Sequence, residues 1–164
     1  VTLTPLLYGS GHSNMLHPGT PAVPLIVAFA KAIRLAVMDI DKRENFIRRL
    51  NDKIVDELMK YEGVRINRTK ISIPHILNIS LDTIKAETFL HALEEYEIYV
   101  STNTACSSGE FSTSVMAIYN DKKRASSTIR ISLSYLTTTD EINKFLACFK
   151  MVYNKLSLLK KEEN

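Results

Sequence analysis

Cys106 stands in the run VSTNTACSSGEFS (residues 100–112), among Ser, Thr, Asn and Gly and just after the apolar IYV. Buried cysteines usually sit among aliphatic neighbours as small hydrophobes. A thiol in an accessible, polar loop is placed for nucleophilic or redox chemistry, because the thiolate is the reactive form and polar surroundings favour it. Ser107, Ser108 and Gly109 give that loop freedom to move. Arg130 is the second candidate. It lies in IRISLS among Ser132 and Ser134, opposite in phase to Ile129, Ile131 and Leu133. A guanidinium held on a rigid strand makes a planar fork for a carboxylate. The third feature is Gly9-Ser10-Gly11-His12, with Gly19-Thr20 just ahead of a helix pattern. Backbone amides and a hydroxyl at a helix start can hold a phosphate, although Gly and Pro in a loop are ordinarily turn formers.

The elements that must position these groups follow from periodicity. Apolar residues at helical spacing (Leu25, Phe29, Ile33, Ala36, Val37, Ile40) predict a helix over 22–40, with Pro24 in its first turn. A second amphipathic helix is expected over 41–61, carrying Ile47, Leu50, Ile54 and Leu58 on one face. The period then shortens. Residues 64–67 and 76–81 read as strands, 86–96 as a short helix, and 98–101 as a strand entering the cysteine loop. A short helix over 112–119 follows, and 127–134 alternate as a strand. Thr138-x-x-Glu141 is a capping box that starts the last helix, with Ile142, Phe145, Leu146, Phe149, Val152 and Leu156 as its buried stripe. Lys122-Lys123-Arg124 reads as a solvated loop. The predicted order is ααββαβ(α)βα, an α+β domain with a mostly antiparallel small sheet and helices packed on one face. Residues 1–24 form an extended arm, and 25–164 the compact domain.

Composition narrows the function classes. At 164 residues, 45% hydrophobic and 24% charged, with five Gly and five Pro, the chain has the make-up of a globular domain. A formal charge of +3 argues for neither nucleic-acid nor membrane binding. Two cysteines make no disulfide framework and suggest free thiols in a reducing, cytoplasmic setting. Cys148, between Ala147 and Phe149, reads as core. Asn67-Arg68-Thr69 and Asn78-Ile79-Ser80 match the glycosylation pattern, a motif short enough to recur by chance.

Three stretches together resemble the cysteine desulfurases, fold-type I enzymes of pyridoxal phosphate (PLP) related to the class V aminotransferases. YGSGHSNMLHPGTPAVPLIVAFAKA is similar to their HGGGxExxxRxGTxNxxxxxGxxxA segment. ILNISLDTIKAETFLHALEEYEIYVSTNTACSSG resembles the strand, helix and strand that lead to a VSSGSACSSG-type active-site loop. TIRISLSYLTTTDEINKF resembles SIRFSLGRFTTEEEID. The resemblance implies the C-terminal small domain of a longer homodimeric enzyme, with the arm belonging to a large domain and the dimer interface. It implies that Cys106 attacks the sulfur of PLP-bound L-cysteine, becomes a persulfide, and passes the sulfur to an acceptor protein for iron–sulfur cluster assembly or tRNA thiolation. Arg130 then matches the arginine that binds the substrate carboxylate, and Thr20 the threonine that reaches the PLP phosphate of the other subunit, with His12 beside it. The family's PLP lysine lies upstream of the segment matching Tyr8, so the chain alone is expected to be inactive. Ser13, Asn14 and His17 replace the Glu and two Arg of the family motif, and Asn103 replaces a common glycine. A selenocysteine lyase or another class V relative would share the fold, and a non-catalytic interaction domain would keep it without the chemistry. Only the persulfide route requires the Cys106 thiol absolutely.

Overall fold

The fold is taken from a computed structural model that describes residues 4, 7–9, 18–102 and 111–162. The chain divides into two compact units, Val1–Ile40 and Asp41–Asn164. In the first, helix α1 spans Val23–Met38, with Pro24 in its first turn, where a missing N–H costs nothing. The helix forms where the spacing predicts it, and none of its residues is buried.

In the second unit, α2 (Ile40–Leu58) is followed by strands β1 (Val64–Asn67) and β2 (Ile76–Leu81), helix α3 (Ala86–Glu94), strand β3 (Ser101–Thr102), helices α4 (Thr113–Tyr119) and α5 (Lys122–Ser126), strand β4 (Thr128–Ser132) and helix α6 (Thr139–Glu162). The four strands form one sheet in the order β1-β2-β4-β3, every neighbouring pair antiparallel. This is the expected α+β class. The two-residue alternation puts Leu77, Ile79 and Leu81 of β2 and Ile129 and Ile131 of β4 into one core. Ile47, Leu50, Ile54 and Leu58 of α2, Phe89 and Leu93 of α3, and Ile142, Phe145, Phe149 and Val152 of α6 complete the same cluster. The opposite sheet face carries Asn67, Asn78, Ser80, Thr128 and Arg130, and α5 approaches it where Ser80 Oγ donates to the Arg124 carbonyl at 2.8 Å.

Two elements depart from the sequence reading. The strand expected over 98–101 pairs with β4 only at Ser101 and Thr102. The residues before it are occupied in ending α3: Glu97 N–H donates to Glu94 O (2.9 Å), Ile98 N–H donates to Leu93 O (3.2 Å), and Glu97 sits at φ 60°. That pairing is a Schellman motif with Glu97 in the left-handed position that glycine usually fills. The run Lys122-Lys123-Arg124, expected as a solvated loop, begins the short helix α5, capped by Asp121 Oδ1 accepting from Arg124 N–H at 2.9 Å.

The capping box at the start of α6 forms as its sequence dictates. Glu141 N–H donates to Thr138 Oγ1 (3.2 Å), and Thr138 N–H and Oγ1 donate to Glu141 Oε2 (2.7 and 2.9 Å). Thr138→Ala should cost about 1 kcal/mol of stability, read as a lower urea midpoint. The Thr138 backbone N–H first, and its hydroxyl second, hold the Glu141 carboxyl below its usual range. A depressed carboxyl stabilises fully above its unfolded value and loses that contribution as pH falls through the folded one. Glu141→Gln should therefore flatten the acid side of the stability curve, and an unchanged slope would rule this coupling out.

Candidate active site

Arg130 sits at the centre of the sheet. β4 is flanked by β2 and β3, and the pairing places Arg130 opposite Asn78 on one side and Ser101 on the other. Asn78 in turn faces Asn67 of β1. A polar row, Asn67–Asn78–Arg130–Ser101, thus crosses all four strands on one face, since residues directly opposite in an antiparallel pair share a face. Ile129 and Ile131, both buried, clamp the backbone on either side of Arg130. The guanidinium itself is exposed and has no hydrogen-bond or ion-pair partner among the described residues. A charged fork on an interior strand, with polar neighbours and no carboxylate partner among the described residues, has the chemistry to receive an anion from outside.

The β1 end of the row is anchored by groups that the sequence reading did not single out. Arg124 Nε donates to Asn67 Oδ1 at 2.6 Å, and its Nη2 donates to the Ile66 carbonyl at 2.9 Å. Its guanidinium lies 3.5 Å from the centroid of the Tyr119 ring, whose hydroxyl donates to Arg68 O at 3.0 Å. Asn67 Nδ2 donates to Asn78 Oδ1 (2.6 Å) and to Ser80 Oγ (2.7 Å). The available signal was Asn78 at a polar-phase position of the alternating ILNISL. Arg124 gave none, because its partners lie 57 and 58 residues away.

The segment that carries Cys106 follows Thr102, the last residue of β3, and precedes Phe111. Its first stem is therefore the strand that pairs with Arg130. Its second stem is tied down where Ser112 N–H donates to Ala125 O at 2.9 Å and Ser112 Oγ accepts from Val115 N–H at 3.3 Å. Cys106 and His12 themselves lie outside the described residues. Thr20 is described in the first unit: it is exposed, follows Gly19 at φ 146°, and precedes a helix whose N-cap, Ala22, makes no side-chain capping bond. A backbone at that φ favours glycine. The sheet thus brings Arg130 together with the root of the cysteine segment.

Comparison with known proteins gives this arrangement a family. Residues 6–145 match the family model described as aminotransferase class-V. A NifS/IcsS protein homolog of Lactobacillus delbrueckii subsp. bulgaricus is 33% identical over 159 residues, covering 94% of this chain and 41% of that protein. A mitochondrial cysteine desulfurase of Saccharomyces cerevisiae is 33% identical over 146 residues, covering 87% of this chain and 29% of that protein. Among solved structures, a NifS-like protein superposes with a TM-score of 0.74 at 32% identity, over 95% of this chain and 40% of its own. A NifS-like protein of Rickettsia africae superposes with a TM-score of 0.73 at 26% identity, over 94% and 41%. The chain spans about two fifths, or less, of the length of these relatives. A matching family model over residues 6–145, on a four-stranded antiparallel sheet shared with those structures, establishes that the chain belongs to the class V aminotransferase family.

Proposed function

We propose that the protein carrying this chain is a PLP-dependent cysteine desulfurase, which takes sulfur from L-cysteine, releases L-alanine and holds the sulfur as a persulfide on Cys106. One observation carries the reading: an exposed arginine, with no partner among the described residues, stands in register with the strand that leads into the cysteine segment. Cys106 is four residues beyond Thr102, and four residues of chain reach at most roughly 14 Å. A substrate whose carboxylate is seated on Arg130 therefore lies within the span of that thiol. The names of the related desulfurases support the same reading.

Each group has a distinct task. Arg130 receives the α-carboxylate and, with its backbone paired on both sides, orients the substrate relative to the sheet. PLP, when bound, supplies the electron sink that makes the substrate's carbon–sulfur bond labile. The Cys106 thiolate attacks the substrate sulfur; the new S–S bond forms as the Cβ–S bond breaks, and the electron pair stays with the carbon skeleton, which is protonated and leaves as alanine. An ordinary thiol titrates near about 8.5, so Cys106 needs a base or a lowered pKa to act at neutral pH. Thr20 is assigned to the cofactor phosphate across a homodimer, with His12 beside it. Its exposed hydroxyl, just ahead of α1, fits an anionic group. The persulfide sulfur then passes to an acceptor protein of iron–sulfur assembly or tRNA thiolation.

The test uses the whole protein, loaded with PLP and supplied with L-cysteine. L-alanine should appear, and the peptide containing Cys106 should gain about 32 Da, one sulfur atom. Absence of alanine, or an added sulfur located elsewhere, would overturn the proposal.

A further inference from the structure

The hydrogen bonds around Asn67 have a direction that can be deduced from donor and acceptor chemistry alone. A guanidinium only donates, so the atom of Asn67 that meets Arg124 Nε at 2.6 Å is its oxygen. The Arg124 carbonyl only accepts, so Ser80 Oγ spends its single proton there, at 2.8 Å. Ser80 is wholly buried, and at its other contact, 2.7 Å from Asn67, its oxygen can only accept. Both constraints turn the Asn67 amide nitrogen away from Arg124 and towards β2. Asn78, 2.6 Å from that nitrogen, must then present its oxygen to Asn67. Its NH2 group is left turned away from β1, with no acceptor among the described residues. Asn78 is half-buried, and its cross-strand neighbour on the side away from Asn67 is Arg130.

We propose that Asn78 is a second carboxylate-recognition residue beside Arg130, its amide N–H groups aimed at the same anion, and that Arg124 acts through Asn67 as the positioning residue that fixes this orientation. The inference rests on the reading of Arg130 as the carboxylate site and adds to it a donor pair of fixed direction. A free asparagine presents an oxygen or a nitrogen with equal ease, and an oxygen there would repel a carboxylate. The network removes that ambiguity before substrate arrives. The class of ligand it selects is an amino acid with a free α-carboxylate, in preference to an amide or ester.

The experiment compares L-cysteine with L-cysteinamide, which lacks the negative charge, by sulfide release from the PLP-loaded whole protein. The quantity read is the ratio of the two kcat/KM values, in which the fraction of correctly folded enzyme cancels. Asn78→Ala should lower that ratio roughly ten- to hundred-fold, the range of a lost hydrogen bond to a charged group, chiefly through KM for L-cysteine. Asn78→Asp, nearly isosteric, should lower it further by setting a carboxylate against a carboxylate. Arg130→Ala is the control for the underlying reading and should collapse the ratio. If Arg130→Ala collapses it while both Asn78 variants leave it unchanged, Asn78 has no part in recognition and this inference fails alone. If both substrates suffer equally in the Asn78 variants, its role is structural and the inference also fails. If Arg130→Ala leaves the ratio intact, the carboxylate site itself is wrong, and both readings fall.

Discussion

Replacing Cys106 by alanine should reduce sulfur transfer by the whole protein to background while leaving PLP and L-cysteine binding in place. The proposed step makes a sulfur–sulfur bond at that side chain, and alanine has no atom that could make it. The chain's other cysteine cannot take over. Cys148 is a free thiol in α6, 6% exposed and packed in the hydrophobic core, where a substrate or reagent arriving from solvent does not reach its sulfur. The loss should therefore be complete. It should also be separable from binding: the variant should keep the visible absorbance of bound cofactor and still show a spectral response to L-cysteine. Brief treatment of the native enzyme with iodoacetamide should label the Cys106 peptide, spare Cys148, and inactivate in step with labelling. Persistent sulfur transfer by Cys106→Ala would end the desulfurase reading.

How far the site was legible depends on whether its signals are local. Arg130 was placed correctly because TIRIS alternates with a period of two, and Ile129 and Ile131 fix which face it takes. The capping box at Thr138 was legible for the same reason, since both partners lie within four residues. Cys106, Thr20 and His12 drew their roles from family resemblance. The polar row was not legible. Asn67 and Asn78 meet only because β1 and β2 pair in one register, and a shift of one residue would put each on the opposite face. Arg124 looked like part of a solvated basic run because Lys122 and Lys123 surround it. Its burial depends on Tyr119 beneath the guanidinium and on acceptors from β1, contacts that close only once the sheet exists. The start of β3 was misplaced for a related reason. Ile98 and Val100 have strand-like side chains, but the Ile98 N–H is committed to the carbonyl of Leu93, so the ladder begins three residues later than the pattern suggests.

The second large effect is expected at Phe149, whose ring is 0% exposed and lies where the end of α2, α3 and α6 converge. Its centroid is 4.9 Å from Phe89, 5.4 Å from Tyr61, 5.8 Å from Phe145 and 5.9 Å from Tyr153, mostly in the tilted and edge-on geometries that aromatic rings prefer. Phe149→Ala removes the wedge common to four rings. Its ring partners come from α3, from the turn after α2 and from α6 itself, so no single side-chain movement closes the gap. The cost should fall at about 3–5 kcal/mol, the range for a buried Phe truncated to Ala, against a total stability of roughly 5–15 kcal/mol for an ordinary domain. Urea unfolding followed by circular dichroism should show a much lower midpoint with little change in slope. Phe149→Leu, which keeps most of the volume, should recover more than half of the loss. The chemistry should respond differently from the fold. Arg130 and Asn78 lie on the opposite sheet face, so below the melting range the ratio of L-cysteine to L-cysteinamide turnover should stay at its native value. A loss under about 1 kcal/mol would mean that the neighbouring rings collapse into the space, and that the core under β4 is not the rigid support on which the orientation of Arg130 depends.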